Sequence, residues 1–116
     1  MISLVLPLPP SVNAAYRNTR RGRAKTQAYT DWLDSAGFYL MQQREWKSQR
    51  VSGPFELEIK VSQDMRGDIS NRIKLVEDLL VSIEATADDK HAQRVSIERS
   101  ADVPEFDCYV TVKEAI

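Results

Sequence analysis

The sequence predicts a small α/β (α+β) domain in which a mixed β-sheet packs with two main helices in the order β-α-β-α-β-β, residues 1–116 forming a single unit. Three observations carry that expectation. Phe55, Leu57, Ile59 and Val61 alternate strictly with Glu56, Glu58 and Lys60, the period-2 pattern of a half-buried strand. Tyr29, Leu33, Ala36 and Leu40 recur at helical spacing. So do Ile69, Ile73, Val76, Leu80 and Ile83, whose steps are four, three, four and three. A chain of 116 residues builds one core, and a task needing more surface calls for pairing of subunits.

In chain order, Ile2 to Leu6 is a β-prone run stopped by Pro7, Pro9 and Pro10, which cannot donate to a sheet ladder. Residues 11–25, with Ser11, Asn13, Asn18, Gly22 and several arginines, read as a polar loop. Thr26 then caps a helix running to about Ser48, with Gly37 a weak point inside it. Gly53 and Pro54 turn the chain into the Phe55–Val61 strand, and a loop through Gly67 leads to the second helix. An acidic turn at Asp88 and Asp89 precedes a short strand over Val95–Arg99, and Phe106, Cys108, Val110 and Val112 alternate in the last strand.

Composition narrows the class. With 42% hydrophobic and 28% charged residues the chain is an ordinary globular one, and no stretch approaches the roughly 18 apolar residues of a membrane span. The opening M-I-S-L-V-L-P-L-P-P lacks the basic start and small-residue cleavage site of a signal peptide. Cys108 is the only cysteine, so no internal disulfide forms and a buried, reduced thiol is expected. A reducing, cytoplasmic location is expected. The net charge of −1 hides an asymmetry: the first fifty residues carry eight Lys/Arg against three Asp/Glu, the remainder eight against fourteen. Five of the basic residues, Arg17, Arg20, Arg21, Arg23 and Lys25, fall together. They read either as a solvated loop or as a phosphate-binding surface beside an acidic one.

The chemistry concentrates between Asp68 and His91. At about 100° per residue, Asp68, Asn71, Lys74 and Asp78 fall within roughly 120° of one another on the second helix, opposite its apolar stripe. The plain reading is a solvated face with a Lys74–Asp78 pair worth about 0.3 kcal/mol. Ser70 is an alternative to Asp68 as the cap. Asp88 and Asp89 are either a turn or part of a site. Were Asp89 brought back to Asp68, carboxylates about 4 Å apart would repel by about 4 kcal/mol at an effective dielectric of about 20. A cation removes that cost, and oxygen-only ligands favour Mg²⁺ or Mn²⁺ over zinc. His91, the only histidine, is either a bystander or a contact of the metal or substrate. One Cys and one His exclude a Cys/His zinc site, the four glycines are too scattered for a phosphate loop, and no nucleophile-elbow motif supports a Ser-His-Asp triad.

The run D-I-S-N-R-I-K, then Asp78 and the Asp88-Asp89 pair, with the opening L-P-L-P-P-S-V-N-A-A-Y-R and the later G-R and A-Y, resembles the RusA family of Holliday-junction resolvases from about Leu4 to Ile97. The resemblance implies a homodimeric, Mg²⁺-dependent endonuclease of bacterial or phage origin that nicks two strands of a four-way DNA junction symmetrically, with Mn²⁺ a substitute ion. By the family's D-x-D-N-x-x-K motif and its second acidic motif, Asp68 and Asp89 would be metal ligands and Lys74 the catalytic cation, with Asn71 on the motif's asparagine. This chain departs at Ser70, where the pattern has a second aspartate. Asp88, Asp78 or a water held by Ser70 are the candidates to complete the shell. Arg17 to Lys25 would hold the junction arms, and Tyr16 would either stack on a base at the crossover or pack into the fold. Two alternatives stand beside this one: a non-catalytic or weakly catalytic junction-binding protein, because of Ser70, and a metal-dependent nuclease of other branched DNA.

Overall fold

A computed structural model describes residues 1–115. Four strands form the main sheet: β1 (Ile2–Pro7), β4 (Phe55–Ser62), β5 (Ala92–Ser100) and β6 (Asp107–Glu114), in the spatial order β1-β6-β4-β5. β6 runs antiparallel to both β1 and β4, whereas β4 and β5 are parallel. A parallel pair needs a crossover, and helix α3 (Ile73–Ser82) supplies it. The result is the mixed sheet that the alternating and helical patterns predict. Rows such as Leu4, Val110, Ile59 and Ile97 lie side by side across it. Leu4, Val110 and Ile59 are buried together with Leu57, Val61, Leu75, Val76 and Leu80 in one continuous core.

Helix α2 (Gln27–Met41) packs along β1 and is shorter than its sequence suggests. Gln43 explains the early stop. Its side-chain amide donates to the Val5 carbonyl (2.7 Å) and accepts from the Val5 N–H (2.6 Å), so it pairs with the free edge of β1 as a strand would. Trp32 adds an indole N–H to the Pro7 carbonyl (2.8 Å). These three bonds occupy an edge that otherwise invites another chain. The chain then makes a 3₁₀ turn over Glu45–Ser48. The buried stripe of α2 is Tyr29, Trp32, Ala36 and Leu40, with Leu33 only half-buried. Thr26 occupies the N-cap position, but its hydroxyl donates to the Ala14 carbonyl (2.6 Å) instead of capping the helix.

The largest departure is at residues 11–25, expected as a loop. Ser11 caps a one-turn helix, α1 (Val12–Ala15), and a β-hairpin follows, with β2 (Tyr16–Thr19) antiparallel to β3 (Gly22–Lys25). The turn is built by Thr19, whose hydroxyl donates to the Gly22 carbonyl (2.6 Å) and accepts from the Arg21 N–H (3.2 Å), and by Gly22 at φ 108°. Three differences are smaller. β5 extends beyond Val95–Arg99 at both ends. Phe106 lies outside β6 and is 73% exposed. The start of the second helix is a 3₁₀ turn, Ile69–Arg72, and on α3 the buried face is Leu75, Val76, Leu79 and Leu80, while Ile69, Ile73 and Ile83 are half-buried. Cys108 is a free, fully buried thiol whose pKa burial pushes up to about 12, so it behaves as a small apolar side chain. Among the described residues no helix is long and apolar enough to cross a membrane.

Candidate functional site

The site begins where β4 ends. Beyond Ser62 the chain turns through Met65–Gly67 into Asp68, which leads the 3₁₀ turn. Two guanidinium groups fix this loop by its backbone. Arg99, on β5, donates to the carbonyls of Met65 and Gly67, the second at 3.0 Å. Arg72 donates to the carbonyls of Pro9 (2.6 Å) and Arg66 (3.4 Å), and burial lowers its pKa. Gly67 sits at φ 89°, a conformation other residues adopt at a cost. Asp68 is exposed, and its side chain makes no capping bond. Ser70 is exposed and Asn71 half-buried on the turn that follows.

Lys74, in the first turn of α3, is the hub of the acidic cluster. Its Nζ lies 2.9 Å from Asp78 Oδ1 and 3.1 Å from Asp89 Oδ2. Those bonds, Asp78 first and Asp89 second, raise the pKa of Lys74. The ammonium is half exposed, so each pair is a surface-type interaction of about 0–1 kcal/mol. The partner that Asp89 reaches is thus Lys74. Asp88 has a local duty: its Oδ1 accepts from the Lys90 N–H (3.0 Å), capping a 3₁₀ turn over Asp89–His91, and that bond lowers its pKa. His91 closes the same turn. Glu77, beside Asp78 in α3 and not singled out from the sequence, is half-buried. Burial raises its pKa first, and repulsion from Asp89 adds to that.

The donor set is all oxygen, which suits a hard cation. Among the described residues no three His, Cys, Asp or Glu side chains converge as a ready-made metal site. Mg²⁺ keeps several waters and is usually bound by one or two carboxylates plus substrate phosphate. Asp78 and Asp89, drawn together by Lys74, meet that requirement, whereas among the described residues the Asp68 side chain makes no hydrogen bond or ion pair with either.

The five basic residues gather on the hairpin. Arg17 lies on β2, Arg20 and Arg21 in the turn, and Arg23 and Lys25 on β3, all exposed. Arg23 stacks 4.2 Å above the Tyr16 ring, and Lys25 lies 5.2 Å from the centre of the Tyr29 ring. Tyr16 meets Tyr29 edge to face at 5.4 Å. Of its two readings, packing into the fold is the one observed. Burial, then Tyr16, raises the pKa of Tyr29, and the charges of Asp78 and Lys74 also act on it. The Tyr16–Tyr29 contact joins the foot of the hairpin to α2.

The chain thus carries a basic ribbon and a lysine–carboxylate cluster, and the model of the endodeoxyribonuclease RusA family matches residues 7–113. The chain belongs to the RusA family. The match spans both the hairpin and the Asp68–Asp89 region, so RusA membership covers every element of the site. RusA proteins are endodeoxyribonucleases of Holliday-junction resolution and recombination. No curated protein matches the chain.

Proposed function

We propose that this RusA-family protein is a Mg²⁺-dependent endodeoxyribonuclease that acts as a homodimer and resolves four-way DNA junctions by paired, symmetric nicks. The observation that carries the reading is the Lys74–Asp78–Asp89 cluster within a span that matches the family. Asp68 and Asp89 would hold the ion, with Asp88 or Asp78 as further oxygen donors and Mn²⁺ as a substitute. A bound ion would supply Lewis-acid polarisation of the scissile phosphate and acidify the attacking water. The chain's own residues do the rest. Lys74, whose ion pairs cost little to release, offsets the charge that grows on the phosphate oxygens. Arg17, Arg20, Arg21, Arg23 and Lys25 grip the phosphates of the arms, which positions DNA while reading little sequence. The Asn71 N–H donates to the Asp68 carbonyl (3.3 Å), and a water held by Ser70 is a further candidate to complete the shell.

One observation favours a second reading, a junction-binding protein with little or no cleavage. Ser70 stands where the family pattern has a second aspartate, and a neutral hydroxyl is a weaker Mg²⁺ ligand than a carboxylate. A labelled four-way junction incubated with the protein and Mg²⁺ separates the two. Paired nicks that vanish in EDTA support the nuclease; a stable complex without nicks supports the binder. A panel of flaps and forks tests whether other branched DNA is cut faster.

A further inference from the structure

The loop that presents Asp68 also forms one wall of a cavity of about 360 Å³, within the roughly 300–1,000 Å³ range of small-ligand pockets. Its lining includes buried Met65, the exposed Phe106 ring and the side chains of Arg66, Arg72, Asp64 and Glu105. Two guanidiniums against two carboxylates leave little net charge, so the cavity does not suit an anion such as a phosphate. An apolar base and an aromatic wall, edged by donors and acceptors, suit a flat heteroaromatic ring with polar edges. Arg72 also keeps a buried Nε–H without an acceptor among the described residues, and such a donor calls for an explanation.

We propose that this cavity receives one nucleobase swung out of the branched DNA next to the branch point, with Phe106 as its stacking surface. The inference rests on the junction-nuclease reading, because the occupant is identified by the site it adjoins. Arg66 lies two residues before Asp68, on a loop clamped by Arg99 and Arg72. A strand that offers its phosphate to Asp68 therefore has its neighbouring bases within reach of the cavity. A branch point is also where extrusion is cheapest, since bases there are already poorly stacked. Phe106 is 73% exposed, outside β6 and outside the core, so the fold does not account for it.

The test is a cycle between the protein and the DNA, with binding measured in EDTA. Phe106→Ala is compared with the wild-type protein on an intact four-way junction and on junctions carrying one abasic nucleotide at each position beside the branch point. Stacking of one base on an aromatic side chain predicts an affinity loss of about 5- to 150-fold on the intact junction. That loss disappears on the junction abasic at one position, and Phe106→Trp binds like the wild type. Equal melting temperatures show that the fold is unchanged. Full affinity of Phe106→Ala for the intact junction overturns the proposal, as does the same loss on every abasic junction, which would assign Phe106 to a contact other than a base. If the wild type binds and nicks the junction in either case, the nuclease reading survives. No junction binding by the wild type overturns both.

Discussion

On the proposed reading, the hairpin β2–β3 and the Asp68–Asp89 region serve the same DNA by opposite means. The hairpin carries five cations, and of its residues only Tyr16 and Ala24 are even half-buried. The acidic region rides on β4, α3 and β5, with Leu75, Val76 and Leu80 fully buried beneath it and arginines pinning its loop. The contrast has a physical reason. Charges that need only lie near phosphates act through a long-range, sequence-independent field and tolerate a pliable ribbon. Groups that must meet one phosphorus atom need placement within about 0.5 Å, which only packed elements provide.

The sharpest way to break the comparison is at the carboxylates. Asp68→Asn and Asp89→Asn should each lower nicking by at least about 100-fold, since even partners that merely support a metal ligand cost about 10–100-fold. Both should fold, because neither touches the core; Asp89→Asn also weakens the Lys74 pair, by about 1 kcal/mol at most. Near-normal nicking by either variant at saturating Mg²⁺ removes that residue from the site. The hairpin should respond differently. Replacing Arg17 and Arg20 by Ala should flatten the log–log salt dependence of junction binding by about 0.9 for each phosphate that a subunit no longer neutralises, and leave melting unchanged. An unaltered slope moves the DNA to another surface.

Ser70→Asp sharpens the comparison from the acidic side. A third carboxylate should reduce the Mg²⁺ needed for nicking. In EDTA its repulsion with its neighbours should cost up to about 1 kcal/mol, a melting loss of about 4 °C in a domain of this size. Identical metal dependence in melting and cleavage would mean that another oxygen already fills the position. The smallest effect lies at the end of α3. Glu84 holds a left-handed φ of 62°, where it donates to Val81 O (3.0 Å) and lets Ala85 donate to Leu80 O (2.9 Å), a Schellman ending that favours glycine. Glu84→Gly should stabilise the fold by about 0.5–1 kcal/mol without altering nicking, as thermal melting and the junction assay together will show.

Most of the sheet and both helices were legible because one face of each is buried, and burial on one face writes a period into the sequence. Phe55 to Val61 is the clearest case. The hairpin escaped for the same reason inverted: with almost every residue exposed, nothing repeats, and its turn depends on a Thr19 hydroxyl that looks like any loop residue. The 3₁₀ turn at Ile69–Arg72 carries no separate sequence mark, and the leucines Leu75 and Leu79 widen the buried face of α3 beyond the stripe that the spacing picked out. Within the site, the motif spacing singled out Asp68, Lys74, Asp78 and Asp89. Arg72 and Arg99 were invisible, since their partners are backbone carbonyls up to 63 residues away, and a carbonyl leaves no signature. Glu77 lay outside the polar face as drawn at 100° per residue.

The central claim, that the hairpin binds and the acidic cluster cuts, is tested most directly by single-turnover nicking of a labelled four-way junction with protein far above its dissociation constant. Under that condition the Arg17→Ala/Arg20→Ala variant should nick at close to the wild-type rate, while Asp68→Asn should bind with wild-type affinity and leave the strands intact. A hairpin variant that stays inactive when fully bound, or an Asp68→Asn protein that cuts, would contradict the division of labour.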